Sequence, residues 1–296
     1  MRRSRLVVLF AIATVCAVAV TLASTALAGG TKKIRIGVFL ASAANTYWTA
    51  ELEGVRDVAK KYGNVEVTVF DAQFSTNKQV NQLRDALVSK RFDAWFIGPN
   101  DGGPLTPTIR SAIKQGVKVA CTLVPCGPDI RKTTIQIPGQ IAQIGVGFYE
   151  NGQQLGLLTK EACVGKNPCE VFWLPGLPEL PLLMIELRPS VRAFSSGDQM
   201  INGALRAAQL AGKDKQIKFF GNGCTFEAKR DILAGKVYGC AVYLPRTEAR
   251  MATDLLIRAV QGFNVGSRSV DPLTLSPIGP IGRRSNISKF KPEFRS

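Results

Sequence analysis

The chain contains no histidine. That removes the side chain that titrates nearest neutral pH, the commonest transition-metal ligand and the most frequent general base. It also has no GxSxG elbow, no phosphate-cradling GxxxxGK(S/T) loop and no CxxC pair, so acyl transfer, nucleotide hydrolysis and zinc binding all lack their usual apparatus. Neither catalysis nor a cofactor or metal is expected. Beyond residue 30 there is no apolar run long enough to span a bilayer. Basic residues do not interleave with aromatics in the manner of a nucleic-acid face. The net charge is nevertheless +16, or +13 without Arg2, Arg3 and Arg5, which suits either a solvated basic surface or an anionic partner.

What is present begins with "MRRSRLVVLFAIATVCAVAVTLASTALAGG". Three arginines precede an apolar run from Leu6 to Ala23, with small residues at Ala26 and Ala28, the pattern of a secretory signal over residues 1–28. An uncleaved anchor is the competing reading, since the run is close to spanning length. Export to the periplasm fits the cysteines. Besides Cys16 there are six, each close to another in sequence, and they read as three short-range disulfides: Cys121 with Cys126, Cys163 with Cys169, Cys224 with Cys240. Other connectivities stay open.

From Ile34 onward, short β-rich runs alternate with helical ones. "IRIGVFL" leads into a helix with Leu52, Val55 and Val58 on one face, and "VEVTVF" into one with Val80, Leu83 and Leu87. "DAWFIGP" precedes Thr106-Pro107, an N-cap and first-turn pair, whose helix stops at Gly116 before "VKVACTLV". A second series follows: "AQIGV", a helix over 149–162, "EVFWLP", "VRAFSS", a helix from Asp198, "QIKFF", a helix over 227–234, and "VYGCAVY". A last helix over 247–260 precedes a basic tail rich in Pro and Gly. Repeated βα units predict an α/β fold with parallel sheets, and two such series predict two lobes with a cleft between them. Trp95 and Trp173 fall within strands and read as core.

Ligands of open α/β sheets sit at the carboxyl ends of the strands. Asn45, Tyr47 and Trp48 occupy the loop after the first strand, where aromatic faces can stack on a small molecule and an amide can donate and accept. The same aromatics serve equally well to staple the next helix onto the sheet.

The stretches "IRIGVFLASAANTYWTAELEGVRDVAKKYG", "DAQFSTNKQVNQLRDALVSKRFDAWFIGPND", "AFSSGDQMINGALRAA" and "EAKRDILAGKVYG" resemble, in order and spacing, the periplasmic sugar-binding proteins of the ribose-binding type, soluble receptors of ABC importers. The resemblance runs from Lys33 to about Phe290. It implies a periplasmic-binding-protein type 1 fold with three hinge crossovers, near Val146, Tyr243 and "PIGPIG". The lobes would be 29–146 with 245–276, and 147–244 with 277–296, the second shortened. It also implies capture of a sugar or polyol by a monomer that delivers it to an ABC permease in the inner membrane. Docking on a receptor kinase, or a deletion variant with impaired binding, are the alternatives.

By the same resemblance Asn45, Tyr47, Trp48 and Asp198 are ligand contacts. The family's Asp-Arg pair falls on Leu123 and Val124, a later Asp on Asn222 and the hinge Gln on Tyr243. Asn100 ends the third strand and joins the set. Where family members carry a helix, an edge strand and a second helix, only Pro181 to Arg188 remain, about 12 Å as a helix; "EVFWLP" becomes an exposed edge, and Glu179 in "GLPELP" becomes a further candidate contact. The expected ligand-binding residues are thus Asn45, Tyr47, Trp48, Asn100, Glu179, Asp198, Asn222 and Tyr243, around a cleft poorer in charge than the family's.

Overall fold

A strand covered on both faces must be apolar almost throughout, and "IRIGVFL" meets that condition: every residue but Arg35 is buried. It is the second strand from one edge of the first of two sheets. The structure, a computed structural model, describes residues 32–167, 169, 171, 173, 174, 194, 195 and 197–296. The elements run β1 (Ile34–Leu40), α1 (Thr46–Tyr62), β2 (Val65–Asp71), α2 (Thr76–Ser89), β3 (Ala94–Gly98), α3 (Gly102–Lys114), β4 (Lys118–Thr122) and β5 (Ala142–Ile144). They continue as α4 (Phe148–Ala162), β6 (Trp173–Leu174), β7 (Phe194–Ser195), α5 (Asp198–Leu210), β8 (Phe220–Gly223), α6 (Phe226–Leu233), β9 (Gly239–Val242), α7 (Pro245–Val260), β10 (Arg268–Val270) and β11 (Ile281–Arg283).

The first sheet has six parallel strands in the order β10-β5-β4-β3-β1-β2. Ile36 lies opposite Val67 on one side and Ala94 on the other. The second sheet, β11-β9-β8-β7-β6, is parallel except for β11. The described residues from Ile34 onward form one compact unit, with an α/β fold in which helices cover parallel sheets. Among the described residues no helix is long and apolar enough to cross a membrane. Residues 1–28, read as a signal, lie outside those described.

The chain changes sheets three times: between β5 and α4, between β9 and α7, and between β10 and β11. After β9, α7 returns to pack against α1 and over β3, β4 and β5. Arg246 and Arg250 of α7 both reach Asp57 of α1, and Tyr62 donates to Asp254 at 2.8 Å. Trp95 is core, edge-on to Phe39 at 5.5 Å. The side chain of Trp173 lies outside the described set.

Two boundaries differ from expectation. The helix expected from Thr106-Pro107 starts at Gly102, because Asp101 caps it by accepting from Gly103 N at 3.0 Å. Pro107 is then interior as the sixth residue of the helix, where its missing N–H forfeits the i→i−4 bond to Gly103 O. The strand expected over 216–220 lies instead at Phe220–Gly223, paired with β9 through Gly221–Cys240 and Asn222–Ala241. Its glycines are poor strand formers, but they leave room: a Cβ at Gly221 would fall 2.3 Å from Asp198 Oδ1.

The three disulfides form as paired in the sequence reading, Cys121–Cys126, Cys163–Cys169 and Cys224–Cys240. The first ties the end of β4 to the loop beyond it, and the third links the residue after β8 to β9. β6 is the last strand of its sheet among the described residues, as expected for "EVFWLP".

Candidate ligand-binding site

The loop after β1 is built by capping. Asn45 accepts from Tyr47 N at 2.9 Å, which makes it the N-cap of α1, and its backbone carbonyl accepts from Thr49 Oγ1 at 3.0 Å. Asp71, at the end of β2, accepts from Ala43 N at 3.0 Å and orders the same loop from the other side. The carboxyl ends of β1 and β3 are joined by Gln79 of α2, a fully buried residue. Its Nε2 donates to Gly98 O at 2.9 Å and to Phe39 O at 3.3 Å, while its Oε1 accepts from Asn100 N at 2.9 Å.

These loops enclose a cavity of about 190 Å³, against the roughly 10–15 Å³ that one water needs. Asn45, Tyr47, Trp48, Asn100, Asn222 and Tyr243 all line it. Asn45 and Asn100 come from loops over the first sheet, Asn222 from β8 and Tyr243 from just beyond β9, so the cavity lies where the two sheets' strand ends meet. Tyr47 and Trp48 come from the first turn of α1 rather than the loop expected, because Asn45 caps the helix just before them. Tyr47 and Trp48 are only 9% and 5% exposed. The two local readings of these aromatics are therefore compatible: they pack, and their surfaces also form cavity wall. Trp48 lies against Gly98, where a Cβ would come within 2.3 Å of the indole, so only glycine fits beneath the ring.

Tyr47 is edge-on to Trp48 at 5.1 Å, to Tyr243 at 5.8 Å and to Phe294 at 5.7 Å. Its hydroxyl points away from solvent and donates to Glu248 Oε2 at 2.9 Å. Glu248 and Glu51 are both fully buried, and Glu51 accepts from Thr122 Oγ1 at 2.9 Å. Burial pushes both carboxyls well above their ordinary range, and Glu248 adds its charge against Glu51. Each keeps one oxygen without a partner, which a neutral carboxyl tolerates far better than a charged one.

Asn100 is 3% exposed, and neither polar atom of its side chain has a partner. Native proteins rarely leave a buried amide unpaired, so the group is set for a hydrogen bond that something in the cavity would complete. Asn222 by contrast is paired reciprocally with Asn151, at 3.0 and 3.1 Å. Asp198 does not line the cavity. It is 1% exposed, its Oδ2 accepts from Thr225 N at 2.8 Å, and burial pushes it up to about 6 against the hydrogen bonds from Thr225. It joins α5 to the start of α6, outside the cavity lining. Glu179 lies outside the described residues.

Several lining residues were not among the expected contacts. Phe74 and Leu123 both have left-handed backbones, with φ of 58° and 53°, and both face the cavity. Such strain in non-glycine residues gathers at binding sites; no pattern in the sequence marks it. Phe148, Met200 and Phe294 add apolar surface, and Gln199 donates to Thr46 Oγ1 at 2.8 Å across the two halves. Phe294 falls beyond the end of the resemblance. Among the described residues the lining holds no Asp, Glu, Lys or Arg, and none of them forms a metal-binding group.

Residues 36–182 match the periplasmic binding protein domain family. The ribose import binding protein RbsB of Bacillus subtilis (strain 168) is 25% identical over 283 residues, covering 83% of this chain and 88% of that protein. Among solved structures, the arabinose-transporter binding protein of Shewanella sp. ANA-3, bound to α- and β-L-arabinofuranose, superposes with a TM-score of 0.70 at 16% identity, over 86% of this chain and 93% of that one. A solute binding protein of Bacillus halodurans C-125 with bound myo-inositol gives a TM-score of 0.68 at 15% identity, over 88% and 98%. These two structures share the fold.

Proposed function

Because this chain carries a periplasmic binding protein domain and is a homologue of a ribose import binding protein, we propose that it captures a small neutral sugar or polyol between its two sheets. Residues 29–146 with 245–276 form one jaw and residues 147–244 with 277–296 the other. The exported monomer then hands its ligand to an ABC permease in the inner membrane. On this reading it is a binding protein rather than an enzyme, which the aromatic surface and amides of the cavity support.

The observation that carries this reading is Asn100, a buried amide with both polar atoms unpaired inside an aromatic-walled cavity. An amide there donates to one hydroxyl and accepts from a neighbouring one. Tyr47, Trp48 and Tyr243 supply ring surface, and Asn45 holds the loop that presents them. The absence of charge among the described lining residues favours neutral ligands over anions, despite the protein's net charge of +16.

A thermal-shift screen over monosaccharides, polyols, small anions and small cations tests it. A neutral member should raise the melting temperature progressively with concentration, since a ligand that binds only the native state stabilises it by mass action. A response confined to charged compounds, or to none, would remove the reading.

A further inference from the structure

Hydrogen-bonding capacity limits what this cavity can hold more tightly than volume does. Most of its amides are already committed: Asn45 Oδ1 to Tyr47 N, Gln199 Nε2 to Thr46 Oγ1, and Asn222 to Asn151. The Tyr47 hydroxyl belongs to Glu248. Among the described lining residues only Asn100 offers a donor and an acceptor that are both unpartnered. The rest of the wall is mostly apolar, with the Tyr243 hydroxyl, the Trp48 N–H, Asn45 Nδ2 and Gln199 Oε1 as the further side-chain polar groups of lining residues, and Leu123 and Val124 stand together just beyond the end of β4.

A fully hydroxylated hexose has polar groups around its whole rim. Each hydroxyl buried there without a partner would weaken binding by about tenfold, whereas a methyl or methylene in the same place gains apolar contact. We propose that the cavity selects an uncharged, partly deoxygenated sugar, with a hydroxyl pair for Asn100 and a continuous apolar edge for Leu123, Val124 and Phe294. This deepens the capture reading of the same cavity and rests on it. Leu123 and Val124 are then specificity-determining residues, and the left-handed backbone at Leu123 is what presents that edge.

Calorimetric titration of the purified protein with matched pairs differing by one hydroxyl tests the proposal: D-fucose against D-galactose, and 2-deoxy-D-ribose against D-ribose. In at least one pair the deoxy member should bind about tenfold or more tightly than its parent. Leu123→Asn, a change that the left-handed backbone accommodates, should cut that preference severalfold. If this variant does not fold, the near-isosteric Val124→Thr serves in its place, with the same expected direction. Parents that bind as tightly as their deoxy partners, or an unchanged preference in the variant, would overturn the proposal and leave sugar capture standing. No binding by any member to a cooperatively melting protein would overturn both.

Discussion

Tyr47 gives its hydroxyl to Glu248 and only its ring to the cavity. Tyr47→Phe therefore keeps the wall and removes a donor from a buried carboxyl. It should lower stability by about 1–3 kcal/mol while leaving ligand affinity within about twofold, read by denaturant unfolding and titration; a large loss of affinity with unchanged stability would place the hydroxyl on the ligand instead. Asp198 carries a different expectation. Its folded pKa of about 6 lies above the ordinary aspartate value near 4, so between those limits the native state holds the extra proton. Stability from this group is full below about pH 4 and falls as pH rises through 6, by on the order of 3 kcal/mol. Asp57 acts in the opposite sense: the Arg246 hydrogen bond, with Arg250, holds it down to about 2, so its contribution is present above about pH 4 and lost on acidification. Asp198→Asn should flatten the decline between about pH 4 and 7 in chemical denaturation; an unaltered slope would mean the carboxylate is not the group titrating.

Among the elements, apolar periodicity made α1, α2 and strands β1 to β5 legible, because parallel strands flanked by helices leave an apolar signature, whereas β10, short and exposed in the tail expected to be irregular, left none. β8 was displaced because "FGNG" carries no β-branched residue; pairing with β9 and the close approach of Asp198 decide its position. The binding loop was found because its aromatics follow a strand end. Asn100 was among the expected contacts, but its orphaned amide becomes visible only in the folded chain, where Gln79 takes its backbone N–H and leaves the side chain unpaired. Phe74 and Phe294 left no signal, and Leu123 was met only as a departure from the family's pair, since a left-handed backbone and a tail that folds back are tertiary outcomes. Disulfides were readable from spacing in a chain whose N-terminus reads as an export signal. The Cys224–Cys240 bridge closes a separation of 16 residues and Cys121–Cys126 one of 5. By loop entropy, replacing both cysteines by alanine should cost about 3 kcal/mol in the first case and about 2 in the second. Denaturant melts that reverse this order would show that local packing outweighs chain entropy here.

At the scale of the whole molecule, two sheets connected by three changes of sheet place their strand ends around one cavity, and the aromatic cluster of Tyr47, Tyr243 and Phe294 draws on both halves. The second sheet has five described strands and ends at β6, and the region expected to be shortened lies outside the described residues. Capture then depends on one buried polar anchor in a mostly apolar enclosure. Calorimetric titration of the unaltered protein and of Asn100→Ala with the tightest neutral sugar or polyol tests that claim most directly. Saturable one-to-one binding that weakens at least tenfold in the variant, at a melting temperature no lower than that of the unaltered protein, is the predicted result. Equal affinity in the two proteins would contradict it.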